Sequence, residues 1–417
     1  MNDSEPEKLL LVVLNYAPEL TGIGKYAGEM GAWFAARGIE VRVVTAPPYY
    51  PSWRVHGGYA SWRYGTEVRA GVRVYRCPLW VPRAPRGASR ILHLLSFAAS
   101  SLPVILWQAL RWRPRVVLVV EPPLLAAPAA WIGARLAGAR AWLHVQDLEV
   151  DAAVALGLLR ARPLQRLAVA LERFWMRRFD RVSAISRSMV ERIVAKGVGA
   201  DRVLLFPNWV DVTRIGPTEE HTALRAELGI PDGVRVVLYS GNMGEKQGLD
   251  MLLATARELA ADPTVLFLLC GDGAARVRLQ REAVDLDNVR FAPLQPLERL
   301  NALLNLADVH VLPQRVAAED LVMPSKLTAM MASGRPVAAT ARCDSEVGRI
   351  VAECGLVSEP GDVGALAASI RRLLGDAALR GRLGAAGRAY ALANWDRDAV
   401  LERVRLEMRT AIGRAAA

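Results

Sequence analysis

Paired cysteines are missing from this chain. Its four, Cys77, Cys270, Cys343 and Cys354, show no C-x-x-C spacing, which excludes a zinc knuckle or disulfide framework and reads as ordinary thiols in a reducing compartment. An apolar leader is missing too: Met1 to Lys8 is polar and acidic and runs straight into an apolar stretch, so the expected location is the cytoplasm. Repeats and low-complexity tracts are absent apart from alanine enrichment. Basic residues outnumber acidic ones, 53 to 42, for a formal charge of +11, but they are scattered rather than gathered in a run. Scatter argues against nucleic acid and leaves an acidic membrane surface or a phosphorylated ligand as the anionic partner.

What is present is enough apolar material, 52% of 417 residues, for two cores. Short apolar runs alternate with helical stretches, the pattern of a parallel sheet covered on both faces. The expected strands of the first half are Leu9 to Leu14, Val41 to Thr45, Val116 to Val120, Trp142 to Val145, Val182 to Ile185 and Val203 to Phe206. A helix from about Ile23 to Arg37, stopping at Gly38, completes a unit of Rossmann type. After a polar stretch, Thr213 to His221, strands restart at Val234 to Tyr239, Val265 to Cys270, Val309 to Leu312 and Pro336 to Thr340. The expected fold is therefore α/β, with two Rossmann-like doubly wound domains, 1–210 and 211–393, facing across a cleft. A helix over 394–417 is expected to pack back on the first domain.

One segment, Ile91 to Leu110, carries no charged residue and is bracketed by Arg86, Arg90, Arg111 and Arg113. It is long enough to span a bilayer. Ser96, Ser100, Ser101 and Pro103, and its place between two strands, favour a helix resting in the membrane interface or a buried crossover helix.

Ligand-binding loops are expected where strands end. Gly22 and Gly24 open the first helix and offer close backbone approach to a phosphate or sugar, or simply a tight turn. This is no dinucleotide fingerprint, because Ala27 stands at the third glycine position and no acid ends the second strand. In the second domain Gly241, Asn242 and Lys246 form a plausible diphosphate cradle at a helix start, and Gly271 and Gly273 end another strand. Pro324 and Ser325 start a helix with Lys326 in its first turn, an unfavourable place for a cation unless an anion binds. Asp147 follows the strand that carries His144, and both are candidates beside a reacting group. Asp285-Leu286-Asp287 mimics a metal-binding D-x-D; no metal site is expected.

Five motifs stand in order: Pro18-Glu19-x-Thr21-Gly22-Ile23-Gly24, Val145-Gln146-Asp147, Pro207-Asn208-Trp209-x-Asp211, Gly241-Asn242-x-Gly244-x-x-Gln247-Gly248 and Ala318-x-Asp320-Leu321-Val322-x-Pro324-Ser325-Lys326-Leu327. From about Leu9 to Arg397 the chain resembles the retaining GT-B glycosyltransferases of family four. Within them it is most similar to the colanic-acid and O-antigen fucosyl- or N-acetylfucosaminyltransferase group. It departs from the wider family at Ala329, where a ribose-binding glutamate is usual, and at Asn242, where an arginine is usual.

The resemblance implies transfer with retention from a GDP- or UDP-linked sugar, with no cofactor and no essential metal. The implied acceptor is a lipid-linked saccharide at the inner face of the bacterial cytoplasmic membrane, with the enzyme peripheral on that anionic surface. Lys246 and Lys326 would balance the diphosphate, Asp320 would contact the donor hexose, and Asp147 or His144 would lie near the reacting sugar. Two rivals share the fold's ligand chemistry: a nucleotide-sugar epimerase and a non-catalytic nucleotide-binding scaffold subunit.

Overall fold

The structure, a computed structural model, describes residues 7–83, 87–155, 161–244, 247–314 and 323–413. Of the expected site residues, Lys246 and Asp320 lie outside this set. The chain divides into two compact units, Met1–Pro207 with Leu401–Ala417, and Asn208–Val400.

The first unit is built from β1 (Lys8–Val12), α1 (Gly22–Ala35), β2 (Glu40–Thr45), β3 (Gly65–Arg69), β4 (Val72–Arg76), α2 (Ala88–Arg111), β5 (Val116–Glu121), α3 (Ala127–Ala137), β6 (Arg140–Val145), α4 (Glu149–Ala155), α5 (Arg162–Met176), β7 (Arg181–Ala184), α6 (Arg187–Ala195) and β8 (Val203–Leu205). Its sheet runs β3-β4-β2-β1-β5-β6-β7-β8, parallel except for the β3–β4 hairpin at one edge. Central strands are buried on both faces, which is why β5 reads as an unbroken Val-Val-Leu-Val-Val run. The sequence reading missed both hairpin strands: β3, Gly-Thr-Glu-Val-Arg, is largely exposed at the edge, and the apolar run of β4 is broken by Arg73 and Arg76.

The second unit holds α7 (Thr222–Glu227), β9 (Arg235–Ser240), α8 (Asp250–Glu258), β10 (Val265–Cys270), α9 (Arg276–Glu282), β11 (Val289–Ala292), α10 (Leu300–Asn305), β12 (Val309–Leu312), α11 (Ser325–Ala332), β13 (Val337–Thr340), α12 (Glu346–Cys354), β14 (Gly355–Ser358), α13 (Val363–Gly375) and α14 (Ala377–Trp395). A last helix, α15 (Arg397–Gly413), starts here and ends in the first unit. The sheet order is β11-β10-β9-β12-β13-β14, all parallel. Alternate residues of β9 feed opposite cores: Val237 and Tyr239 pack with α8 and α13, Val236 and Leu238 with α10. The edge strands β11 and β14, four residues each, escaped the sequence reading because so short a run carries little period.

In both sheets the strand order reverses once, between β1 and β5 and between β9 and β12. Open α/β sheets bind ligands outside the carboxyl ends of strands at such a reversal. The fold thus singles out the loops after β1 and β5 in one unit and those after β9 and β12 in the other.

Candidate functional site

The loop after β9 and the start of α11 meet in the second unit. Lys326, in the first turn of α11, donates from Nζ to the Tyr239 hydroxyl at 2.6 Å and to Gln247 Oε1 at 3.4 Å, and its ammonium lies 4.1 Å from the Tyr239 ring centroid. Tyr239 in turn donates to the Asn242 carbonyl at 2.6 Å, tying the lysine to the turn. A Cβ on Gly241 would touch Lys326 Cε and Nζ at 3.5 Å, so the two segments adjoin as the sequence reading required. Among the described residues Lys326 has no carboxylate partner, and burial pushes its pKa down to about 7. An ammonium at a helix amino terminus, against the dipole and with no carboxylate partner among the described residues, is a place where a bound anion would be favourable. Tyr239 and Gln247 are the residues that sequence reasoning missed; a tyrosine ending a strand looks like ordinary core until its hydroxyl is placed.

Gly271 and Gly273 have a different task from the one expected. A Cβ on Gly271 would fall 1.9 Å from the Gly241 carbonyl oxygen, and one on Gly273 would fall 2.6 Å from that of Met243. Gly241 N–H donates to the Cys270 carbonyl and Met243 N–H to that of Asp272, so the loops after β9 and β10 lie flush. These glycines shape the cradle from behind rather than face a ligand. Pro324 and Ser325 supply the extended entry and the exposed first residue of α11, and Ala329 sits one turn further along. Asp285 of the D-x-D is exposed and pairs with Arg257 at 3.2 Å, and no cluster of metal-ligating side chains occurs among the described residues.

In the first unit the loop after β1 folds around Glu19. Its Oε1 accepts the backbone N–H groups of Tyr49 and Tyr50, both at 2.9 Å, while burial holds its pKa above the usual carboxylate range. A Cβ on Gly24 would lie 2.7 Å from the Cβ and Oε2 of Glu19. Gly24 therefore exists so that α1 can rest on Glu19, and Gly22, at φ +59°, makes the left-handed turn before it. The tight-turn alternative thus accounts for both glycines without a ligand. In the same loop Asn15 approaches both Glu19 and Tyr49 closely enough to help hold their pKa values down, and the buried Thr21 Oγ1 has no hydrogen-bond partner among the described residues. Buried groups left so are rare and mark a place where ligand hydroxyls would be welcome.

His144 also needs correction. It is 2% exposed in β6, its Nδ1 lies 3.0 Å from Ser183 Oγ and its Nε2 2.9 Å from Gln146 Nε2. Burial drives its pKa down to about 3, so it stays neutral and enclosed beside Gln146. Asp147, just past the strand, is partly exposed and close enough to Tyr50 to help burial raise that phenol's pKa. A buried acid cluster that the sequence did not reveal lies behind it. Glu121 ends β5 fully buried with neither oxygen bonded, and burial, reinforced by Glu172 and Glu149, raises its pKa well above the carboxylate range. Glu149 caps the Leu124 N–H at 2.9 Å, and Lys196 bridges Glu172 and Asp151, the latter at 2.7 Å.

The two doubly wound units each carry a polar loop cluster at a strand reversal, and the second sets a lysine at a helix start beside its cluster. The family described as Glycosyl transferase 4-like domain matches residues 21–209, and that described as Glycosyl transferases group 1 matches residues 234–376. The chain belongs to the glycosyltransferases of GT-B fold. It is 43% identical over 407 residues, 94% of its length and 98% of the relative's, to WcaI of Escherichia coli strain K12, a candidate colanic acid biosynthesis glycosyl transferase. It is 28% identical over 93% of its length and 94% of the relative's to a GDP-mannose-dependent alpha-(1-6)-phosphatidylinositol monomannoside mannosyltransferase of Mycolicibacterium smegmatis. Its fold is that of sucrose-phosphate synthase from Thermosynechococcus elongatus, at TM-score 0.77 and 21% identity over 98% of this chain and 99% of that one. Anabaena HepE, solved in complex with UDP-glucose, superposes at TM-score 0.70 with 15% identity, covering 96% and 99%.

Proposed function

We propose that the enzyme transfers a sugar from a GDP- or UDP-linked donor to a lipid-linked oligosaccharide in bacterial exopolysaccharide or O-antigen synthesis, with retention of configuration. The likeness to WcaI supports the pathway class, and a 6-deoxyhexose such as fucose or N-acetylfucosamine is the sugar that the motif resemblance favours. The observation that carries the reading is Lys326: an ammonium with no carboxylate partner among the described residues, at a helix start beside the loop after β9.

In this mechanism the bond from the anomeric carbon to the diphosphate breaks while the acceptor oxygen bonds to the same face. The acceptor's proton passes to the departing phosphate oxygen. Lys326, joined by Lys246, stabilises the charge that develops on the diphosphate, an interaction stronger in the transition state than in the ground state. Gly241 and Asn242 line the diphosphate, Asp320 contacts the donor hexose, and Asp147 and the Thr21 hydroxyl orient sugar hydroxyls. No cofactor or metal takes part. The enzyme works at the cytoplasmic face of the inner membrane, where α2 exposes Ile91, Leu92, Trp107 and Leu110.

The test is incubation of purified protein with a membrane-lipid extract and a panel of UDP- and GDP-sugars, followed by NMR of the anomeric proton in the product. A lipid-linked product with the donor's anomeric configuration is expected. Isomerised free donor without acceptor identifies an epimerase, and donor binding without turnover identifies a scaffold subunit.

A further inference from the structure

Two buried charges lock the loops after β1 and β2 of the first unit together. Glu19 accepts from the N–H groups of Tyr49 and Tyr50, and Arg76 donates to the carbonyls of Ala46, at 2.9 Å, and Ala17. On this frame stands a cluster of rings. Tyr49 and His93 are buried, with the Tyr49 hydroxyl 3.0 Å from His93 Nε2, and His93 Nδ1 lies 2.7 Å from the Trp80 carbonyl oxygen. Trp53 packs on both rings, at centroid distances of 5.3 and 5.2 Å, and its φ of +53° is a left-handed backbone that a bulky residue rarely adopts.

Arg90, in the first turn of α2, lies over the Trp53 ring at 5.2 Å from its centroid. Like Tyr50, Trp53 and Asp147 it is partly exposed. Its charge reaches the phenols of Tyr49 and Tyr50, and that of Asp147 reaches Tyr50 too, so Arg90, Tyr50 and Asp147 are neighbours. Glu149 also feels Arg90, but its carboxylate is turned to the Leu124 N–H at 2.9 Å. Among the described residues the guanidinium therefore has neither an ion pair nor a hydrogen bond, and its contact with the ring leaves its edge N–H groups free to donate. A helix start disfavours a cation, and the surrounding acids offer charge at a distance without a hydrogen-bonding partner.

We propose that Arg90, seated on Trp53, takes an anionic group of the acceptor saccharide, a carboxylate or a phosphate, while Tyr50 and Asp147 hold sugar hydroxyls beside it. This rests on the reading of the enzyme as a transferase and names the chemistry of its acceptor. The fold supports the place: Tyr50 and Trp53 follow β2, Asp147 follows β6, and these two strands flank the β1–β5 reversal. The side chains support the class. A guanidinium presents two parallel N–H donors, which fit the edge of a carboxylate or phosphate and have no such match in a neutral hydroxyl. Trp53 is a positioning residue that fixes the plane of this fork.

Phenylglyoxal, which modifies accessible guanidinium groups, tests this on the intact protein, with each arginine followed by peptide mass spectrometry. Glucuronate, inorganic phosphate and neutral glucose are the probes. A bound anion at about twice its Kd should slow modification of Arg90 about threefold, while exposed Arg111 reacts as before. Protection by glucuronate assigns a carboxylate, by phosphate a sugar phosphate, and by both either anion. Protection by neither, or equal protection by glucose, overturns the proposal. With a membrane-lipid extract as acceptor, Arg90→Gln should raise the apparent KM for acceptor about ten- to a hundredfold, the worth of a charge-assisted hydrogen bond, with donor Kd and thermal midpoint unchanged. Arg90→Lys should restore part of this, because a lysine brings the charge without the fork. Trp53→Leu should raise the same KM a few-fold with kcat kept, and Trp53→Phe should restore it. An unchanged acceptor KM in Arg90→Gln, or a loss of donor affinity in its place, also overturns the proposal. Protection of Arg90 with no transfer to any acceptor would instead count against the proposed activity alone.

Discussion

Replacing Lys326 by Met should stabilise the resting protein and disable it at once. Holding this ammonium costs the fold: a pKa pushed from 10.5 down to about 7 corresponds to roughly 5 kcal/mol of differential interaction. The sign follows from linkage. The folded pKa lies below the unfolded one, so between about 7 and 10.5 the unfolded chain binds more protons and stability rises with pH, with the penalty at its fullest below 7. Methionine removes the penalty, and the Tyr239 hydroxyl keeps its bond to the Asn242 carbonyl. A bound nucleotide sugar repays the penalty in the native enzyme, and its diphosphate diester stays doubly charged throughout this range. If only protonated Lys326 binds it, the competent fraction falls from about nine-tenths at pH 6 to about one-tenth at pH 8, and the donor Kd weakens about tenfold. Calorimetric titration with UDP- and GDP-sugars at both pH values, with thermal unfolding of wild type, Lys326→Met and Lys326→Arg, reads all of this. The methionine variant should melt higher and lose about two orders of magnitude in kcat/KM. The arginine variant should bind donor without the pH dependence. A donor Kd that is flat from pH 6 to 8, together with a methionine variant that melts lower and keeps its turnover, would refute the assignment.

Three further outcomes are expected. Lys196→Met leaves fully buried Glu172 without its cation and should cost about 3 to 5 kcal/mol in urea unfolding near neutral pH, with partial rescue when Glu172 is also made Met; a loss below about 1 kcal/mol would contradict this. Glu121 has a folded pKa above its unfolded one, so its contribution to stability is lost as pH rises past the unfolded value; Glu121→Gln should out-melt wild type by a margin that widens from pH 5 to pH 8, and a constant margin would show Glu121 to be ionised. With Ala329 in place of a ribose-binding glutamate, kcat/KM for a donor and its 2′-deoxyribose counterpart should differ by less than about tenfold, and a preference above about a hundredfold would mean that another group holds the ribose.

Much of the fold was legible because its causes are local. Strands buried on both faces must be unbroken apolar runs, so β1, β2, β5 and β6 and the core of β9 and β10 announce themselves, and the motif order places the family. The hairpin strands β3 and β4 and the four-residue strands β11 and β14 stayed hidden, since a short, exposed or charge-interrupted strand need not be an unbroken apolar run and pairs through its backbone. What individual residues do was settled only by contacts between distant segments. Glycine reads alike whether it meets a ligand or a neighbour; only the folded loops show that Gly24 yields to Glu19 and Gly271 to the Gly241 carbonyl. A strand histidine reads more readily as satisfied core than as catalyst, but only the packing shows His144 buried and neutral. Glu121, Glu149, Glu172 and Lys196 are spread over 75 positions, and no local pattern links them; tertiary packing alone brings their charges together, because electrostatic energy depends on distance through space.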